Sequence, residues 1–148
     1  MISYGTSTGR ITLRSDRGVL WIKLEREPQS ADIVNCLRDA FAAGLVPTAS
    51  PTVVDLLDFS GTIDWPAVRI IRGMLPADRG TEIGREVAPP SQRIAYVTRD
   101  PLFDTVLKII GDLFGFARHR YFRDPERALL WACQSEPAGP VEDEDEEG

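Results

Sequence analysis

The stretch Thr52–Leu75, TVVDLLDFSGTIDWPAVRIIRGML, limits the possible folds more than any other part of the chain. Val53, Val54, Leu56, Leu57 and Phe59 form a near-continuous apolar run, with Asp55 and Asp58 set into it. The run has strand length but lacks the alternation of a half-solvated strand, so it predicts a strand covered on both faces. Small and polar residues, Asp58, Ser60 and Gly61, gather at its carboxyl end. Asp64 is placed to cap a helix, and Pro66 suits that helix's first turn. The helix then sets Ala67, Ile70, Ile71, Met74 and Leu75 at i, i+3, i+4, i+7 and i+8, with Arg69 and Arg72 off that stripe. A doubly covered strand feeding an amphipathic helix requires α/β layering. In open α/β sheets, ligands and partners meet the carboxyl ends of strands, so this turn is the first place to look for function.

The flanking segments extend the same alternation. Arg10–Ser15 and Val19–Leu24 read as two strands around the turn Asp16-Arg17-Gly18, a β-hairpin. Pro28 closes the second strand, Ser30 is placed to cap a helix reaching about Ala43, and Gly44 stops it. Pro47 and Pro51 frame a linker. Residues 77–92 read as a long loop, of the kind that is either mobile or functional. Ile94–Val97 returns as a strand. Leu102, Phe103, Val106, Leu107, Ile110, Leu113 and Phe114 carry the clearest helical period in the chain. His119–Phe122 is a last short strand, and Asp124-Pro125-Glu126 opens a final helix with Ala128, Leu129 and Trp131. The order β-β-α-β-α-β-α-β-α predicts a mostly parallel five-stranded sheet with an N-terminal antiparallel hairpin and helices packed on it. Residues 1–9 read as a loose leader, 10–137 as one domain, and 138–148 as a disordered acidic tail.

Charge excludes one class of partner. The net charge is −6, and residues 141–147, VEDEDEE, hold six acidic groups; without them the chain has 17 acidic and 17 basic residues. A balanced body with no basic stripe argues against nucleic acid. No apolar run reaches the roughly 20 residues of a membrane span. The N-terminus MISYGTSTGR has no apolar core of a signal peptide, and Cys36 and Cys133 have no CxxC neighbour. Two reduced, buried thiols in the cytoplasm are the expectation.

Catalytic and cofactor machinery is hard to assemble from these residues. Side-chain alternation puts Asp55 and Asp58 on opposite faces of their strand, with Lys23 available to pair with Asp55. Asp58 and Asp64 could converge as an acid/base or cation-binding pair, or serve simply as turn former and helix cap. His119 is the only histidine, it lacks triad or zinc-ligand partners, and Arg118 and Arg120 beside it suggest an exposed strand edge. GTSTG at 5–9 lacks the lysine of a phosphate-binding loop. No cofactor is expected. Trp21, Trp65, Trp131, Phe59 and Phe116 could line an apolar pocket or fill an ordinary core.

Taken together, ITLRSDRGVLWIKL, VVDLLDFSGTIDWPAVRII and the late helix–strand–DPERAL sequence resemble the SpoIIAA-like, or STAS, family over residues 10–134. The resemblance is nearest to stand-alone bacterial chains of that family. It implies a non-enzymatic regulatory or protein-interaction module similar to the anti-sigma factor antagonists. Those proteins carry a phosphorylatable Ser after an Asp at the start of the helix corresponding to that after Asp64. Here Trp65 and Pro66 follow Asp64, so Ser60 and Thr62 are the remaining hydroxyls of the turn. The resulting expectation is a partner- or ligand-binding surface of Asp58, Phe59, Ser60, Gly61, Asp64, Trp65, Arg69 and Arg72. It would serve a protein partner or a second copy in a homodimer, with Trp65 as exposed anchor. The alternatives are a carrier or sensor of an apolar, lipid-like molecule, by analogy with CRAL-TRIO domains, and, more weakly, a hydrolase using Asp58 and Asp64. A cavity of roughly 300 Å³ or more with aromatic lining would favour the carrier.

Overall fold

The computed structural model describes residues 1–44, 51–74, 92–115 and 117–134. Its elements run β1 (Ile2–Thr6), β2 (Gly9–Asp16), β3 (Val19–Arg26), α1 (Ser30–Ala42), β4 (Thr52–Phe59), α2 (Trp65–Met74), β5 (Gln92–Val97), α3 (Phe103–Leu113), β6 (Ala117–Phe122) and α4 (Pro125–Cys133). One six-stranded sheet holds the strands in chain order, β1-β2-β3-β4-β5-β6. The first two pairings are antiparallel and the other three parallel.

The expected α/β architecture is present, with one strand more than the five anticipated. Residues 2–6 are not a loose leader but pair along β2, Ile2 opposite Leu13 and Thr6 opposite Gly9. Their alternation was hidden because Ile2 and Tyr4 are the only apolar side chains in the strand. Both pack on the cluster beneath α1, and the Tyr4 hydroxyl donates to the Asp39 carboxylate on that helix. The β2–β3 hairpin closes through Arg17 and Gly18, at φ 55° and 81°. Two consecutive positive φ values are the twist-matched turn for a two-residue hairpin loop, which only Gly adopts without cost.

Each of the three parallel crossovers moves to the adjacent strand in the same direction. The right-handed rule therefore sends α1, α2 and α3 to one face. Under α1, Ile11, Leu13, Leu20, Leu24, Cys36 and Ala40 form one buried cluster. The opposite face is covered by α4, where Val19, Val53, Ala95, Val97, Phe122, Ala128 and Ala132 form the second. Asp124 caps α4 by accepting the Glu126 N–H at 3.2 Å, and Pro125 follows it. Cys36 is buried as expected, but Cys133 is exposed. The 77–91 part of the expected loop, the linker at 45–50, Leu75, Phe116 and the acidic tail lie outside the described residues, and Gln92 begins β5. Among the described residues, no helix is long and apolar enough to cross a membrane.

Candidate functional site

The site begins with a bulge in β4. Lys23 is paired with Asp55, yet Glu25 is paired with Asp58, so β4 carries one extra residue between them. Asp55 Oδ1 accepts the Leu57 N–H at 3.0 Å, satisfying a backbone group within the irregular stretch. The expectation that Asp55 and Asp58 face opposite sides, with Lys23 on Asp55, assumed strict alternation. The extra residue instead turns Asp58 toward Lys23, whose Nζ lies 3.5 Å from Asp58 Oδ2. Phe59 is turned the other way, into the cluster beneath α1.

Beyond the bulge the chain enters α2. Asp64 Oδ1 accepts the Ala67 N–H at 3.2 Å, the cap expected of it. Its other oxygen accepts the hydroxyl of Ser30. Ser30 was the expected cap of α1; here it is the first helical residue, Gln29 takes the N-cap position without a side-chain bond, and the Ser30 hydroxyl ties α1 to α2. Pairing β3 with β4 brings the two helix starts together, which local sequence does not reveal.

Between these helices and the sheet lies an apolar cleft of about 790 Å³. Its floor is Ile11, Ile22, Leu24, Val54, Leu56 and Tyr96 from β2 to β5. Ile33 and Leu37 of α1 form one wall, and Ala67, Val68 and Ile71 of α2 another. Phe103 and Ile110 of α3, with Phe114 after it, form the third. The polar lining residues, Thr8, Glu27, Gln29, Ser30, Thr62 and Asp64, gather where β3 and β4 end. Gly61 belongs to this rim, and a Cβ there would stand 3.1 Å from Glu27 Cγ and from Phe59 Cε1, so its lack of a side chain permits the close approach. Arg26, the last residue of β3, holds φ 55°, and its carbonyl accepts the Ser60 N–H at 2.8 Å. A non-glycine residue in that conformation is costly, and such outliers concentrate where a loop must be held for a purpose.

The cleft sorts the residues expected at the site into two groups. Phe59, Gly61 and Asp64 line it. Asp58, Ser60 and Arg69 are exposed beside it, and Trp65 is half-buried rather than fully exposed. Arg72 is not a free surface cation: it is half-buried, and its Nε donates to the Leu113 carbonyl at 2.6 Å, holding α2 against the end of α3. Ile70, expected in the buried stripe of α2, is 51% exposed, because the helix turns Ala67, Val68 and Ile71 to the sheet. Asp58 pairs with Lys23, while Asp64 accepts the Ser30 hydroxyl and caps α2, so each carboxylate has a partner of its own. Among the described aromatics proposed as lining, Phe59 serves, whereas Trp21 and Trp131 pack on the α4 face. Tyr96, Phe103 and Phe114 take their place. Sequence reasoning also missed Thr8, Glu27 and Ser30. The rule that selected the end of β4 applies equally to the end of β3, once the two strands are known to be neighbours.

Comparison with known proteins bears on the fold. No protein-family model matches this chain, and no curated protein does. A crystal structure of an uncharacterised protein of the DUF3478 family with a SpoIIAA-like fold, from Shewanella loihica PV-4, superposes with a TM-score of 0.56 at 16% identity. It covers 83% of this chain and 92% of that one. The fold is SpoIIAA-like.

Within this SpoIIAA-like sheet, β5 and β6 carry a polar pair at the α3 side of the cleft floor. Tyr96 is buried, and its hydroxyl lies 2.9 Å from His119 Nδ1. His119 Nε2 lies 2.8 Å from the Phe114 carbonyl. A carbonyl only accepts, so Nε2 carries the proton and Nδ1 accepts from the tyrosine. Burial lowers the histidine pKa and raises that of the tyrosine, and both stay neutral near pH 7. His119 is thus not at a bare strand edge: α3 and its carboxyl end cover it.

Proposed function

We propose that this SpoIIAA-like protein is a non-enzymatic binding module that takes an apolar or amphipathic small molecule into the cleft. The observation that carries this reading is the cleft itself. Its volume, about 790 Å³, is that of a small-molecule site, its lining is apolar and aromatic, and its polar residues are confined to one rim. The carrier alternative is therefore favoured over a surface acting through Trp65 alone. Binding would also bear on partners, because α2 forms both a wall of the cleft and the outward surface of Arg69 and Ile70.

Titration of the full chain with the neutral fluorophore N-phenyl-1-naphthylamine tests the binding reading. Saturable binding at one site per chain is expected, weakened about tenfold or more by Ala67→Phe, which would place a ring where the probe sits. Ile71→Trp provides a second filled variant, and thermal melting verifies that each is folded. Absence of saturable binding, or equal binding by both folded variants, overturns the proposal.

A further inference from the structure

The rim has a charge sign, and from it we infer that the cleft selects amphiphiles with a cationic head and rejects those with an anionic one. This inference rests on the binding reading above and adds the identity of the head group. Among the described lining residues the only ionisable carboxylates are Glu27 and Asp64, and there is no Lys, Arg or His. The nearby cations Arg26 and Arg69 are exposed and do not line the cleft, and no described ion pair neutralises Glu27 or Asp64. Lys23, further back along β3, is engaged with Asp58.

Helix starts oppose this sign, because α1 and α2 both begin at the rim and helix N-termini attract anions. Part of this donor set is engaged within the protein. Asp64 occupies the start of α2 and accepts the Ala67 N–H, and Pro66 has no N–H to offer. At α1 the Asp32 and Ile33 N–H groups both bond the Gln29 carbonyl. What an incoming head group meets is therefore two carboxylates and the hydroxyls of Thr8 and Thr62, acceptors for an ammonium or a hydroxyl donor. An apolar tail of such a ligand would lie along Leu24, Leu56 and Phe59 toward Tyr96. A carboxylate or phosphate head would stand beside like charges, with no cation among the described lining residues to pair with.

The test is displacement of N-phenyl-1-naphthylamine from the full chain by decylamine, decanol and decanoate, at pH 7.5 and low salt, below the micelle threshold. The expected order is decylamine over decanol over decanoate, with about tenfold or more between the amine and the carboxylate, since both attraction and repulsion at a solvent-facing rim contribute. That ratio should shrink as salt is added. It should collapse to about threefold or less in Glu27→Gln/Asp64→Asn, where asparagine still caps α2. Displacement by decanol with decanoate binding as well as decylamine overturns the head-group assignment and leaves the cleft standing. Persistence of the full ratio in the double variant overturns the assignment to these residues. Failure of all three ligands to displace a bound probe overturns both this inference and the apolar reading of the cleft.

Discussion

Replacing Asp64 by alanine removes two bonds at once, and the structure indicates how much each is worth. The first is the cap on the Ala67 N–H, 3.2 Å away, and loss of an acidic cap costs about 1 kcal/mol. The second is the bond from the Ser30 hydroxyl, which holds α1 against α2. Because Asp64 is exposed, that bond falls at the lower end of the range for charged acceptors, again about 1 kcal/mol. Asp64→Ala should therefore destabilise by about 2 kcal/mol, a fall in Tm of roughly 4–8 °C for a chain of this size. Asp64→Asn keeps the acceptor for the Ala67 N–H and turns an amide N–H donor toward the Ser30 hydroxyl, which can accept it, so it should cost only about 0.5 kcal/mol, the loss of a negative charge at a helix start. Ser30→Ala should cost about 1 kcal/mol alone and almost nothing further in the Asp64→Ala background, a coupling near 1 kcal/mol. Urea titrations of the four proteins measure this cycle. If Asp64→Asn is as damaging as Asp64→Ala, capping is not the role of this residue. If the Ser30 and Asp64 losses simply add, the bridge between α1 and α2 contributes nothing.

Two further outcomes are expected. His119 is the only histidine, and its pKa is lowered by burial, so the unfolded chain takes up a proton first as pH falls; stability should be full above about pH 6.5 and decline below it. In His119→Gln that decline should be smaller, and an unchanged urea midpoint profile between pH 7.5 and 5.5 would contradict the buried neutral assignment. Ile70→Ser should change stability by only about 0.5 kcal/mol because the side chain is half open to solvent, whereas Val53→Ala, at full burial beneath α4, should cost about 2 kcal/mol; equal losses in urea titration would refute the orientation of α2.

The SpoIIAA-like fold also explains why the cleft is a better candidate than the turn alone. The floor residues Ile11, Ile22, Leu24, Val54 and Leu56 belong to the same cluster that anchors α1, so a ligand there would rest on a packed surface walled by α2 and α3. Arg72 ties α2 to the end of α3 by its bond to the Leu113 carbonyl. A change in the occupancy of the cleft would then be felt at Ile70 and Arg69 on the outer side of α2, which links the small-molecule reading to partner binding without a phosphorylated serine at Trp65.

The amino-acid sequence by itself determined the alternation of strands and helices, because apolar period and the punctuation by Asp, Pro and Gly act within a few residues. The hairpin at Arg17-Gly18, the cap at Asp64, the cap at Asp124 and the doubly covered strand Thr52–Phe59 were legible for that reason. The first strand was not, since Ile2 and Tyr4 are too few to show alternation and gain their meaning only from β2 and α1. The register of β4 was equally hidden: one extra residue reverses the side to which Asp58 and Phe59 point, and nothing in VVDLLDF marks where it falls. The cleft lies furthest from the sequence. Its rim joins Thr8, Glu27, Ser30 and Asp64 from three separate segments, which meet because β3 and β4 are parallel neighbours and right-handed crossovers place their helices on one face. Adjacency between distant segments is a property of tertiary packing, and it is there that the composition of the rim was decided.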